Sequence, residues 1–174
     1  MYAPRRMQPR VGYLRWHLSD AGAFYGTTVV HGALVTDAGS FAFVDGFAYY
    51  DPTIGNQPAA PNLTIALSTS QLPHCQRAAL DGDNQTGVLV VLYGGTGPGS
   101  FGSTRTPLCP GDGWTGLFGS DVAPVNLTLK QGSVDGGSQV VGSADVFNAL
   151  RRGELLGTID FQLDFCGTLD TERF

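Results

Sequence analysis

The chain has 174 residues, 42% of them hydrophobic and only 14% charged, with a formal net charge of −5. That length suits one domain with a sizeable core and excludes an intrinsically disordered segment. The acidic balance excludes a nucleic-acid partner and a polybasic membrane contact, because like charge repels phosphate and anionic headgroups.

The basic residues Arg5, Arg6, Arg10 and Arg15 open the chain in the manner of a signal n-region, but Val11 to Leu14 runs straight into Arg15 with no apolar h-region. No stretch approaches the ~20 apolar residues that a membrane span needs. The expected organisation is an N-terminal segment over 1–25, a β-sandwich over 26–166 and a tail over 167–174.

Strand signals fill the body. Thr27–Val35 and Ser40–Tyr50 read as strands around a hairpin turn at Thr36-Asp37-Ala38-Gly39. Leu63, Ile65 and Leu67 alternate with Asn62 and Thr64, giving a strand with one buried and one wet face. One short helix is expected over Pro73–Leu80, with Ser70 upstream as a cap and Asp81-Gly82 as its stop. Val88–Tyr93 is apolar on both faces and reads as a central strand.

Gly94–Gly113 is the longest irregular stretch, and a loop of that length is usually functional or mobile. Val125, Leu127 and Leu129 alternate with Asn126, Thr128 and Lys130. Val140–Leu150 turns through Arg151-Arg152-Gly153, where Gly supplies the positive φ, and returns from Glu154. Ile159, Phe161, Leu163 and Phe165 then alternate with Asp160, Gln162 and Asp164 as a wet face. About eight or nine strands joined by short turns indicate an all-β, antiparallel two-sheet sandwich or a flattened barrel.

The chemistry-bearing motifs are sparse. Gly97–Gly102 and Gly111–Gly116 both fit G-x-G-x-x-G, yet no helix follows either to receive a pyrophosphate. The Asp81-Gly-Asp83 run resembles the opening of a calcium loop, but Thr86 and Leu92 stand where an EF-hand needs Gly and Glu. A looser Ca²⁺ site on Asp81 and Asp83 is set against a plain solvated turn; no other cofactor is expected.

The three histidines, His17, His31 and His74, show no zinc spacing. Glu154 and Glu172 are the only glutamates, which disfavours a paired-glutamate glycosidase. Asp160 and Asp164 on one strand would stand about 13–14 Å apart, too far to act on one bond. Asn62, Asn84 and Asn126 each open an N-x-T sequon.

Aromatic rings can stack on sugar faces, so Tyr49 and Tyr50 beside a Pro-rich loop, and Trp114 and Phe118 after the glycine loop, are the candidate ligand-binding residues. The competing reading is that Trp114 and Phe118 plug one end of the core. Three cysteines, Cys75, Cys109 and Cys166, allow at most one internal bridge and leave one thiol spare.

Two groups of segments carry a family resemblance. The first runs Leu63-Thr-Ile-Ala-Leu-Ser, Leu72-Pro-His-Cys75, Ala78-Ala79-Leu80-Asp-Gly82, Leu89-Val-Val-Leu92 and Gly97-Pro-Gly99-Ser-Phe101. The second runs Gly132-Ser-Val-Asp, Gly136-Gly137, Gly142–Phe147, Leu156–Phe161 and Phe165-Cys166. Together they resemble a group of myxobacterial surface lipoproteins.

The resemblance implies a lipidated or secreted β-sandwich with a Cys75–Cys166 bridge and no assigned activity; that pairing would leave Cys109 as the free thiol. The chain departs from that group in lacking a lipobox cysteine and in having Cys109 at all. The implied bridge would close a loop of about 90 residues and, in the entropic account, remove ~4–5 kcal/mol of unfolded-chain freedom.

Three functional expectations follow. The first is a non-enzymatic secreted or cell-surface module, adhesive, carbohydrate-binding or structural, whose partner is a carbohydrate or a surface protein. The second is a subunit of an extracellular filament or shell, which would make it a homo-oligomer. The third is a β-fold hydrolase whose site assembles from scattered residues such as His31, Asp45, Arg105 and Asp160.

Overall fold

A computed structural model describes residues 15–19, 22–51, 63–73, 75, 89–95, 97–102, 114–117, 122–148 and 150–172. Twelve strands are present: β1 (Arg15–Ser19), β2 (Val29–Thr36), β3 (Gly39–Ala42), β4 (Asp45–Tyr50), β5 (Leu63–Ser68), β6 (Leu89–Gly94), β7 (Gly99–Gly102), β8 (Trp114–Leu117), β9 (Val122–Gln131), β10 (Val140–Phe147), β11 (Leu155–Leu163) and β12 (Phe165–Glu172). They form one hydrogen-bonded path in the order β1-β12-β4-β5-β6-β8-β9-β10-β11-β2-β3, with β7 beside β9.

The path folds into two packed layers and does not close into a barrel. One layer is β1-β12-β4-β5-β6-β8; the other is built on β9-β10-β11, flanked by β2-β3 and β7. Their facing sides share one core, in which Ala48, Leu63, Ile65 and Leu67 of the first layer meet Leu127, Ala144, Ile159 and Leu163 of the second. Alternation puts these side chains inside, as in β10, whose residues are buried and half-buried in strict turn.

The layers are joined where a strand changes partner. β9 pairs with β8 through Val122–Pro124 and with β10 from Val125 onward. Pro124, which has no amide hydrogen to give a ladder, sits opposite Trp114 of β8 and just before the β10 pairing begins at Val125. At Phe43-Val44 the chain steps across: Phe43 N–H donates to Gly32 O, and Val44 N–H to Ser68 O. The single strand expected over Ser40–Tyr50 is therefore two, β3 in the second layer and β4 in the first.

The third crossing is Asp164, the one residue between β11 and β12. It is buried, which corrects the expected wet face of Asp160, Gln162 and Asp164 at its last member. Beyond it β12 runs parallel to β4, with Ala48 N–H donating to Asp164 O at 2.9 Å. Between Phe165 and Thr168 the β12 register slips against β4, with Gly167 at φ +94°. That bulge lets Phe165 enter the inner core while both Cys166 and Leu169 face the other side of the layer.

Other expectations are met or amended. The two-residue turn Asp37-Ala38 closes the β2–β3 hairpin, and Gly153, at φ +83°, serves the β10–β11 turn. β6 is an interior strand between β5 and β8. The stretch Gly94–Gly113 contains a strand, β7, paired with β9. β1 and β12 pair along their lengths, so the sheet extends beyond the expected 26–166 body into both flanking segments.

Among the described residues there is no helix. Of the turn expected over Pro73–Leu80 only Pro73 and Cys75 are described, and Cys75 has φ +52°, outside the right-handed helical region.

Leu163 is fully buried between the layers, whereas Leu150 in the β10–β11 turn is 95% exposed. Leu163→Ala should lower the unfolding free energy by about 2–5 kcal/mol, and Leu150→Ala should change it by less than about 0.5 kcal/mol. Urea denaturation of both variants checks this.

Candidate functional site

Three regions bring chemistry-bearing residues together. The first is the outer face of the β12-β4-β5 part of the first layer. Phe47, Tyr49, Ala66, Cys166 and Leu169 form a second apolar cluster there, covered by Leu72 with Cys75 packed against it. The cover is fastened in three ways. Both Asp45 carboxylate oxygens accept from backbone amides, Oδ1 from Gly46 at 2.8 Å and Oδ2 from Leu72 at 2.7 Å. The Leu72 side chain is itself buried. Cys75 is bonded to Cys166, Cα to Cα 5.3 Å, across 91 residues of sequence.

This covering changes how β5 reads. All six of its residues are buried, so Thr64, placed on a wet face by alternation, is enclosed, with no hydrogen-bond partner for its Oγ1. Tyr49 is only 5% exposed and belongs to the outer cluster, so it offers no open ring to a sugar. Tyr50 is half-buried against the inner core.

The second region is the open face of the second layer. Asp160 of β11 stands opposite His31 of β2 and, on its other side, opposite Ser143 of β10, which stands opposite Thr128 of β9. His31 and Asp160 are both exposed. A carboxylate sits between a serine and a histidine in this row, so the histidine is not adjacent to the serine hydroxyl, as a base for a nucleophile must be. One row down, Thr158 Oγ1 donates to Asp145 Oδ1 at 2.6 Å.

Of the scattered enzyme set, the fold thus pairs His31 with Asp160, while Asp45 lies in the other layer, spent on backbone amides. Among the described residues no group of three or more His, Cys, Asp or Glu could hold a metal ion.

The third region is a strap, Gly22 to Thr28, that precedes β2 and crosses the Asp164 corner. Phe24 and Phe165 exchange both backbone hydrogen bonds, at 2.8 and 2.9 Å. Gly26 N–H donates to Asp164 Oδ1 at 2.7 Å, and Gly137 N–H to Gly22 O at 2.9 Å. Thr27 O accepts from the side-chain amides of Gln139 and Gln162, at 3.1 and 3.2 Å. A Cβ at Gly26 would lie 2.5 Å from Gln139 Nε2, so a side chain there would displace the Gln139 amide from Thr27 O. Phe24 and Tyr25 are exposed on this strap.

Sequence reasoning passed over Phe24 and Tyr25. Their signal was the adjacent aromatic pair before Gly26, in a segment assigned to the N-terminal extension. Of the other expected residues, Trp114 opens β8 opposite Pro124. Asn126 is exposed on β9. Phe118, Asp81, Asp83, Cys109, Arg105, His74, Asn62 and Asn84 lie outside the described residues. The first glycine-rich match runs into β7 and the second into β8, so strand stands where a phosphate site would need a helix.

Comparison with family models, with curated proteins and with solved structures finds no match for this chain.

Removing the Asp45 carboxylate leaves the Leu72 amide hydrogen without its partner under a buried side chain. Asp45→Ala should lower the unfolding free energy by about 1–3 kcal/mol. Hydrogen exchange at Leu72 should accelerate by more than at the β10–β11 amides; equal acceleration would mean the cover does not open by itself.

Proposed function

We propose that this chain is a disulfide-latched β-sandwich module that works outside the cytoplasm and acts by binding or by structural contact rather than by catalysis. The observation that carries it is the Cys75–Cys166 bond, set into a packed apolar cluster with Cys166 almost wholly buried. A bridge persists where the surroundings are oxidising, so it is compatible with an extracellular location. The resemblance to myxobacterial surface lipoproteins supports the same placement.

The use of the carboxylates supports the non-catalytic part. Asp45 and Asp164 are tied to backbone amides. The exposed pair His31 and Asp160 stands side by side on β2 and β11. Contact surfaces on such folds lie on sheet faces, edges and end loops.

A second reading, assembly into a filament or shell, is favoured by one observation. β3 ends the strand path of the described residues, and Gly39-Ser-Phe-Ala42 carries no charge or proline that would guard an edge. Under it, light scattering at rising concentration should show association that a Ser40→Pro variant abolishes; a monomer throughout would remove this reading.

The principal reading is tested by the intact mass of the protein taken from its native compartment, denatured and alkylated with and without prior reduction. One bridge and one alkylated cysteine are expected without reduction. Three alkylated cysteines would overturn the proposal. Reduction of the bridge should also lower the unfolding free energy by roughly 4–5 kcal/mol, the loop-entropy value for a closure of this length, measured by guanidinium denaturation.

A further inference from the structure

We propose that two copies of this chain associate through β3, whose outer edge pairs antiparallel with the same edge of the other copy about a two-fold axis at Phe41. The proposal rests on the assembly reading above and names its partner, its contact strand and its register.

The β2–β3 hairpin fixes which backbone groups of β3 are spent. Phe43 N–H donates to Gly32 O at 2.9 Å, so Gly32 and Phe43 form a hydrogen-bonded pair. Bonded and non-bonded pairs alternate along an antiparallel ladder. Counting back through Ala42, Phe41, Ser40 and Gly39, whose partners are Ala33, Leu34, Val35 and Thr36, β2 takes the polar backbone groups of Phe41 and Gly39. The N–H and C=O of Ser40 and of Ala42 therefore point away from β2. Among the described residues neither has a partner on that side, where β3 ends the path.

That side lies at the surface. Gly39, Ser40 and Ala42 are exposed, and Gly39 and Ala42 carry so little side chain that their exposure is largely that of the backbone. A Cβ built on Gly39 would meet no atom within 4 Å. Unpaired N–H and C=O groups on an exposed edge are a template for another strand.

The arrangement of these groups selects a second copy. Ser40 and Ala42 flank Phe41 symmetrically. Turned about a two-fold at Phe41, each Ser40 lies opposite the partner's Ala42, and each such pair exchanges both of its hydrogen bonds. A slip that sets Ser40 opposite the partner's Ser40 keeps only one pair of that kind. At the axis the two Phe41 residues meet as a non-hydrogen-bonded pair, with Cα atoms about 4.5 Å apart. Phe41 is half-buried and has surface left to cover, and aromatic cross-strand pairs stabilise a sheet. One edge paired with itself closes, so the product is a dimer.

Charge and side-chain size agree. An acidic chain repels its own copies except where its surface is neutral. Ala38 to Val44 carries no charge, and Asp37 beside it is paired with Arg151 at 2.9 Å. β1, at the other end of the path, opens with Arg15. A foreign peptide added to an edge is read through pockets for its alternate side chains. On the face opposite Phe41, β3 offers Ser40 and Ala42, and β2 beside them offers Ala33 and the exposed Val35, side chains too small to build such a pocket.

Sedimentation velocity at rising concentration should show a monomer–dimer equilibrium. Ala42→Lys sets a cation on the edge and should stay monomeric at concentrations where the wild type is dimeric; Ala42 is exposed, so the fold is kept. In a Cys109→Ser background, Phe41→Cys should form a linked dimer on mild oxidation, because its Cα spacing lies within the reach of a disulfide. Ser40→Cys alone should not, since its two copies stand about 8–9 Å apart. If Phe41→Cys fails to fold, an equimolar mixture of Ser40→Cys and Ala42→Cys chains, both altered at exposed positions, should link one to the other.

A dimer that persists in Ala42→Lys, or linkage through Ser40→Cys alone, overturns the β3 pairing and leaves the assembly reading standing. A wild type that stays monomeric throughout removes both.

Discussion

Exchange of strand partners at Asp164 is the constraint on which the rest of this structure depends. β11 and β12 are one extended run with a single residue between them, yet they lie in different layers. The backbone at such a corner leaves the ladders on both sides, and its polar groups must be met from elsewhere. Asp164 meets this need with its own groups: its carbonyl takes the Ala48 amide and its carboxylate takes the Gly26 amide. The first contact starts the parallel pairing with β4, and the second draws the strap onto the corner.

The bulge at Gly167 carries the effect outward. An unbroken strand would put Phe165 and Leu169 on the same face. The register slip instead sends Phe165 to the inner core and Leu169, with Cys166, to the outer cluster. The outer face of the β12-β4-β5 region thereby becomes apolar and needs a cover. Leu72, the Asp45 carboxylate and the disulfide supply it, and the resulting enclosure leaves β5 buried on both faces. The β12-β4-β5 part of the first layer is therefore packed on two sides, whereas the β9-β10-β11 layer keeps a polar face of Thr128, Ser143, Asp145 and Asp160.

The functional consequences follow from which side chains this arrangement consumes. Asp45 and Asp164 are bound into the frame, and Tyr49 lies under the cover. The open face of the second layer and the strap that carries Phe24 and Tyr25 lie at the surface. The proposed binding role would draw on those surfaces, and the disulfide ties the frame beneath them.

Period-two alternation in Val125–Lys130 and Ile159–Leu163 was enough to specify the all-β class and the buried side of those strands, because burying one face of a pleated strand selects every second residue. Turn chemistry at Asp37-Ala38 and Gly153 was equally local, and so legible. Partner choice was not. Nothing in the run Ser40–Tyr50 announces that it divides between layers, since an extended chain looks alike whichever sheet receives it. The burial of Thr64, Tyr49 and Asp164 was likewise set by segments distant in sequence, as was the exposure of Tyr25. The Cys75–Cys166 contact spans 91 residues, and spacing cannot choose between three cysteines. Those features belong to the tertiary structure because they depend on which layer lies over which strand, a property no local stretch of sequence contains.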